Sequence, residues 1–441
     1  MSSNLVEIVK SAGIVGAGGA TFPTHVKIDA EVEIVIVNGA ECEPLLRVDQ
    51  QLMDLRAHHM LVALKAVMDQ TGAKQGIVGL KKKYTPAIGA LNKELPQFPG
   101  IKLHIMNNFY PAGDEQTLVY DATGRIVPEG GIPLNVGTLV INVETLLNIY
   151  DMMVDEKPVI DKYITVTGCV QKEITTQVPL GITVREALEL AGGPTISDFV
   201  IINGGPMMGK IVDIDSFITK GTKGLIVLPK DHSLIISKTK SVQDTIKLAA
   251  MACMQCSLCT ELCPRHAIGH NLEPHKLMRI AAYGSTCDMT TQATNAFLCC
   301  ECGLCQYACV MDLQPWKFNQ VLKRELGAKG IKNPHHNHPD KADPFKDDKK
   351  YDVHRLITRL GLDAYDKPAP MVECKKTFTA VNLQLGQHIG APAEPVVSVG
   401  DEVKRGQLIG EIPEGKLSAR LFASIDGRVA AIKDGVITIE S

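Results

Sequence analysis

Aromatic side chains are scarce in this chain of 441 residues, which holds one Trp, nine Tyr and ten Phe. That leaves little from which to build stacking platforms for bases or sugars. A net charge of −3 supplies no basic field, so nucleic acid is not an expected partner. No stretch approaches the ~20 uninterrupted apolar residues needed to cross a bilayer, and no membrane span is expected. Met1–Lys10 lacks the basic region, apolar core and cleavage site of an export signal. The expected location is the cytoplasm. The length exceeds what one core usually organises, so several domains are expected.

Cysteine, by contrast, is plentiful, with thirteen residues. Eight of them form two copies of one spacing. Cys253, Cys256, Cys259 and Cys263 are followed by Pro264, and Cys299, Cys302, Cys305 and Cys309 repeat the run. This is the C-x2-C-x2-C-x3-C pattern of two-cluster ferredoxins, in which three cysteines hold one iron–sulfur cube and the fourth reaches the other. Crossed in this way, a first [4Fe–4S] cluster takes Cys253, Cys256, Cys259 and Cys309. A second takes Cys299, Cys302, Cys305 and Cys263. Zinc is the first alternative, but it takes cysteine pairs from two knuckles rather than a triplet plus one. Disulfides are the second, and they need an oxidising compartment. Cys300, beside a ligand, is either an alternative ligand or a buried thiol. Cys42, Cys169, Cys287 and Cys374 show no partner pattern and are expected to be ordinary core cysteines.

Residues 1–155 alternate helical and β-branched segments. Helices are expected over 5–12 and 52–68, and strands over 33–37, 76–80 and 103–106, giving a mostly parallel sheet. Residues 156–235 read as a hairpin, a helix over 184–191 and a strand over 199–202, a small β-grasp pattern. Residues 236–330 are helical around the cysteines. A polar linker is expected over 331–370; its His335, His336 and His338 could bind metal but suit a solvated loop. Residues 371–441 return to short β segments with turn glycines. The expected fold class is multidomain α/β.

A glycine loop, Gly16-Ala-Gly-Gly-Ala-Thr-Phe-Pro-Thr-His-Val-Lys27, offers backbone N–H groups suited to a phosphate. It follows no clear strand, which argues against an ordinary dinucleotide fingerprint. Taken alone it could equally be a turn. Three further polar stretches accompany it: Val37-Asn-Gly-Ala-Glu-Cys-Glu-Pro44, Tyr110-Pro-Ala-Gly-Asp-Glu-Gln-Thr117 and Ile141-Asn-Val-Glu-Thr145.

In order and character these segments resemble the flavin-binding segments of the NADH-oxidising subunit of respiratory complex I. They resemble more closely the RnfC family of Rnf-type electron-transport complexes and its soluble relatives, the cobalamin reductases of propanediol utilisation. The cysteine runs, the β-grasp (SLBB-like) segment and Gly204-Gly-Pro-Met-Met-Gly209 are similar too, so the resemblance covers nearly the whole chain. It implies an N-terminal domain that binds FMN and accepts hydride from NADH. Gly16, Gly18, Gly19 and Lys27 would hold the FMN phosphate. Asn38, Glu41, Asp114, Glu115, Asn142 and Thr145 would surround the ribityl chain and ring, with Phe22 and Glu43 on the nicotinamide side. The chain departs from complex I at Ala17 and Ala40, where that subunit has Arg and an acidic residue.

The C-terminal segment resembles the barrel-sandwich fold of lipoyl and biotinyl carriers. Its candidate lysine, Lys416, lacks the usual methionine neighbours, which points to docking or scaffolding. In RnfC the comparable module precedes the flavin domain, whereas here it follows the clusters, an order that favours a soluble reductase. The function implied is an NADH-dependent oxidoreductase passing single electrons to a corrinoid. No Asp-x-His-x-x-Gly corrinoid motif occurs, so the corrinoid would bind transiently or on a partner. The alternative is an RnfC-like electron-input component feeding a membrane Rnf-type assembly, a proline-reductase-type system or a soluble dehydrogenase. The setting could be a bacterial microcompartment.

Overall fold

A computed structural model of the chain describes residues 4–283 and 292–441, and Cys287 lies outside them. The first unit is built on a four-stranded sheet. Strand β1 (Ile34–Gly39) begins with four consecutive β-branched residues that are buried on both faces, as a strand covered by helices requires. It pairs in parallel with β2 (Gln75–Lys81), which pairs in parallel with β3 (Ile101–Met106). A two-residue strand, β4 (Phe109–Tyr110), and the helix Glu115–Thr123 follow. The chain then returns to the free side of β1 as β5 (Thr138–Asn142). Strand order β3-β2-β1-β5 therefore reverses between β1 and β5. In open α/β sheets that reversal leaves a crevice beyond the carboxyl ends of the strands. Asn38, next to last in β1, and Asn142, the last residue of β5, are direct register partners there.

The single helix expected over 52–68 is two helices, Val48–Leu55 and Ala57–Thr71. Arg56 leaves helical geometry (φ −129°, ψ 32°), and its guanidinium pairs with Asp151 at 2.5 Å on the neighbouring helix Val143–Asp155. Apolar spacing runs through the break, so periodicity does not register it.

The second unit carries a six-stranded mixed sheet and the helix Val184–Leu190, which starts with a Thr183/Glu186 capping box. The described residues of 236–330 form helices around the cysteine loops. The segment 331–370 is more than a linker. Tyr351–Asp352 pairs with β4, and Val353, Leu356 and Ile357 of the helix Val353–Arg359 pack in one buried cluster with Tyr110. Their i, i+3, i+4 spacing was hidden behind the polar run that precedes it. The final unit is two small facing sheets of four and three strands. Ser424 Oγ donates to Leu180 O (2.6 Å) and Lys220 Nζ to both Gly13 O and Arg420 O (2.7 Å each), fastening this unit to the first two.

Candidate functional site

The crevice at the β1/β5 reversal is floored by the two asparagines. Asn142 Oδ1 accepts from Glu144 N (2.9 Å), capping the helix Val143–Asp155, while its Nδ2 donates to Asp49 Oδ2 (2.9 Å). Asn38 Nδ2 donates to Gly113 O (2.9 Å). The glycine loop crosses above this floor. Its neck is closed by Gly16 N donating to Phe22 O (3.0 Å), with the Phe22 ring half-buried at the base. Its underside is tied by Ala17 N donating to Thr145 Oγ1 (2.9 Å) and by buried Lys162 Nζ donating to Ala17 O (3.0 Å). Gly18 passes so close to Asn142 that a Cβ would stand 3.3 Å from Nδ2. Gly19 has φ +84° and open space around it. Both are exposed, and among the described residues their N–H groups meet no acceptor. Lys27 reaches the mouth of the crevice, where Nζ lies 2.9 Å from Glu115 Oε1. Free N–H groups on a pinned loop with a lysine beside them fit a phosphate monoester.

The two cysteine runs fold as matching knuckles. Gln255 and Glu301, each two residues past the first cysteine, have φ +56° and +58°. Ser257 and Gly303, each one past the second, have φ +63° and +81°. Non-glycine residues held there cost on the order of 1–3 kcal/mol each, a strain that wraps the loop around a bulky group. Cys253, Cys256, Cys259 and Cys309 line one cavity with about 380 Å³ of atom-free space, part of it open to solvent. Burial and the neighbouring thiols of Cys309, Cys253 and Cys256 push the Cys259 thiol up to about 12. Cys305 is likewise pushed up by burial and by Cys299, Cys259 and Cys263. Among the described residues no three His, Cys, Asp or Glu side chains meet as a single metal ion requires. The first four cysteines surround a space instead, which fits a cube better than zinc. Cys300 is half-buried beside Cys302, whose hydrogen bond lowers its thiol below the ordinary value.

One short stretch joins the crevice to the cysteines. Tyr110 Oη donates to Cys302 O (2.6 Å), Gly113 O receives Asn38, and Asp114 Oδ1 accepts from Arg265 Nη2 (2.7 Å), two residues past Cys263.

Four family models match the chain: the Nuo51 FMN-binding domain over residues 9–151, the SLBB domain over 163–210, the 4Fe-4S dicluster domain over 252–314 and the RnfC barrel sandwich hybrid domain over 368–441. Cobalamin reductase PduS of Salmonella typhimurium is 45% identical over 437 residues, covering 98% of this chain and 95% of that protein. The chain belongs to the PduS family. PduS of Citrobacter freundii is 44% identical over 438 residues, again 98% of this chain and 95% of the relative. The C component of the Na(+)-translocating ferredoxin:NAD(+) oxidoreductase complex of Acetobacterium woodii is 34% identical over 270 residues, 59% of this chain and 57% of that one.

In this PduS-family chain two of the expected site acids, Glu41 at the flavin and Glu43 on the nicotinamide side, accept from backbone N–H groups of the protein itself. Glu41 accepts from Asp49 N (2.8 Å), Gln50 N (3.3 Å) and Gln50 Nε2 (3.1 Å) at the start of the helix Val48–Leu55. Glu43 accepts from Met207 N and Met208 N (2.9 Å each), binding the first unit to the loop 204–209. A Cβ on Gly205 would collide with Glu43 Oε2 at 2.0 Å, so glycine is required there. Burial raises both carboxyls above their usual range, and each spends its lone pairs on backbone N–H groups. Asp114 is divided between the crevice and the cysteine unit, capping the helix Glu115–Thr123 through Thr117 N (3.0 Å) while holding Arg265.

Beneath the glycine loop lies a buried charge network that sequence reading missed. Lys162 Nζ meets Glu144 Oε2 at 2.5 Å, and Lys223 Nζ meets Asp49 Oδ1 at 2.5 Å and Glu144 Oε2 at 3.1 Å. Burial opposes ionisation at Glu144, but Lys162 and Lys223 outweigh it and hold the carboxyl below its ordinary value. Asp49 in turn holds Asn142. The signal available in the sequence was Lys162, a charge inside the strand Asp161–Gly168 that is otherwise fit for burial.

Proposed function

We propose that this chain is an NADH-oxidising iron–sulfur flavoprotein that passes electrons through FMN and two [4Fe–4S] clusters to a one-electron acceptor, a corrinoid. The observation that carries this reading is the stretch Tyr110–Asp114, which touches the crevice at Gly113 and the cysteine unit at Tyr110 and Asp114. Bound FMN supplies the exchange between a two-electron hydride donor and one-electron carriers. One NADH becomes NAD+ and H+ and reduces two acceptors by one electron each.

The residues divide the work. Gly16, Gly18, Gly19 and Lys27 hold the phosphate. Asn38 and Asn142 set the floor, Thr145 fixes the loop from below, and Glu115 with Phe22 borders the mouth. Cys299, Cys302, Cys305 and Cys263 take the cluster on the flavin side, because Tyr110 and Arg265 join that loop to the crevice. Cys253, Cys256, Cys259 and Cys309 take the cluster on the solvent side, where Cys256 is exposed and Met251, Met254 and Val310 are 84%, 64% and 62% exposed. Electrons leave there. The domain limits we propose are 1–155, 156–235, 236–330 and 371–441, with 331–370 strapped across the first and third. Among the described residues no helix is long and apolar enough to cross a membrane. A cytoplasmic site of action, inside a microcompartment where a corrinoid enzyme turns over, fits the PduS relatives.

A second reading, electron input for a larger complex, is supported by the likeness to the C component of the ion-translocating complex. Anaerobic visible spectroscopy with iron and FMN quantitation, followed by NADH and then cob(II)alamin or cob(III)alamin, separates the two. Bleaching of flavin and cluster absorbance followed by corrinoid reduction supports the reductase. Bleaching without corrinoid reduction favours the electron-input reading, and iron without flavin defeats both.

A further inference from the structure

Asn319 lies in the helix Pro315–Ala328 and is completely buried. Among the described residues neither its Nδ2 nor its Oδ1 meets a hydrogen-bonding partner. Buried amides left unpaired on both atoms are rare in native structures, and each calls for an explanation. The buried core to which this helix contributes Phe318, together with Ala296 and Leu298, is apolar. One turn further along the same helix, Lys323 Nζ donates to Cys299 O, which sets the face that Asn319 shares with Lys323 against the second knuckle.

The other knuckle shows what such an amide does. There Gln255 Nε2 donates to Cys253 Sγ at 3.1 Å. The equivalent residue of the second knuckle is Glu301, which has no N–H on its side chain and is engaged with Lys323 (2.8 Å) and Gln320 (2.8 Å). Its backbone N donates to Cys299 Sγ at 3.3 Å, but the side-chain amide found in the first knuckle is missing from the loop. Asn319 carries an unpaired one on the helix packed against that loop.

We infer that Asn319 donates a hydrogen bond from Nδ2 to the sulfur shell of the second cluster, at Cys299 or an adjoining sulfide, and thereby raises the reduction potential of that cluster. This rests on the reading of Cys299 as a cluster ligand. Reduction adds one negative charge to the cube, and an N–H dipole aimed at its sulfur favours the more negative state. Asn319 is a positioning residue that acts through the cluster and touches no substrate.

The test is an EPR-monitored redox titration of the purified protein with its cofactors in place. Asn319→Leu should shift one cluster to a lower midpoint potential, leaving the other cluster and the FMN content unchanged. Gln255→Leu should shift the other cluster instead. Should Asn319→Leu lose iron, Asn319→Asp keeps the shape while replacing the donor with a carboxylate, and it should lower the same midpoint. Two clusters present with unmoved potentials overturn this inference alone. An unaltered protein with no second cluster overturns the ligand reading and the inference with it.

Discussion

Asp114 Oδ1 and Arg265 Nη2 lie 2.7 Å apart, with both side chains about 10% exposed, at the junction between the flavin crevice and the end of the first cysteine run. Each has a second attachment in sequence: Asp114 caps the helix Glu115–Thr123, and Arg265 follows Cys263 by two residues. Burial opposes the charge on Arg265, but Asp114 outweighs it and holds the guanidinium firmly protonated. The pair fixes the distance between two redox sites with a contact that neither site could supply alone.

Asp114→Asn leaves that guanidinium unpaired in a dry site, which costs about 3–5 kcal/mol for a buried pair broken on one side. Thermal unfolding of the loaded protein should show a marked fall in midpoint. Adding Arg265→Met should restore much of it, because the orphaned charge is gone. A single variant as stable as the parent would mean that water reaches the pair.

Lys27→Met removes the lysine at the mouth of the crevice, paired there with Glu115. A charge-assisted hydrogen bond is worth about 1.5–3 kcal/mol, so FMN affinity should fall by roughly ten- to a hundredfold. Flavin and iron are measured on the same preparation, and flavin should drop while iron stays. Flavin retained at full occupancy would remove Lys27 from the phosphate site.

Cys256→Ala takes one ligand from the solvent-side cluster. NADH should still bleach the flavin, while one-electron reduction of an external acceptor should stop. Stopped-flow absorbance reads the first and acceptor reduction the second. Unaltered transfer to the acceptor would place the exit elsewhere.

Lys220 offers a pH test. Burial brings it down to about 7 from its ordinary 10.5. Between those values the unfolded chain binds the proton and the folded chain does not, so stability rises with pH at ~1.4 kcal/mol per unit and is lost as pH falls toward 7. Lys220→Met abolishes that slope. Midpoints of the parent should therefore climb relative to the variant between pH 7 and 10. Parallel curves would show that the carbonyls of Gly13 and Arg420 keep the lysine charged throughout.

Much of the fold was legible because its signals are local. The β-branched run at Ile34–Val37 announces a buried parallel strand, and Thr183 with Glu186 announces a helix start. The break at Arg56 and the helix at Val353–Arg359 were not read. The first depends on Asp151, ninety-five residues away, and the second lies behind a polar stretch. Among site residues, the glycine loop was legible from its own spacing, whereas the bonds that Glu41 accepts from Asp49 N and Glu43 from Met207 N were not, since a carboxylate serves a helix start or a neighbouring loop as readily as a ligand, and only the fold chooses.

The sequence by itself determined the cofactor chemistry. Cysteines two residues apart can wrap a cube, and glycines free of Cβ can present N–H groups to a phosphate, within a single loop and independent of what packs around it. The tertiary structure alone decided which strand ends meet at Asn38 and Asn142, which cysteine loop Tyr110 reaches, where Glu43 is spent and which helix packs against Cys299. Those facts join residues twenty to more than a hundred and fifty positions apart, and such contacts are set by sheet order and core packing, which no local spacing encodes.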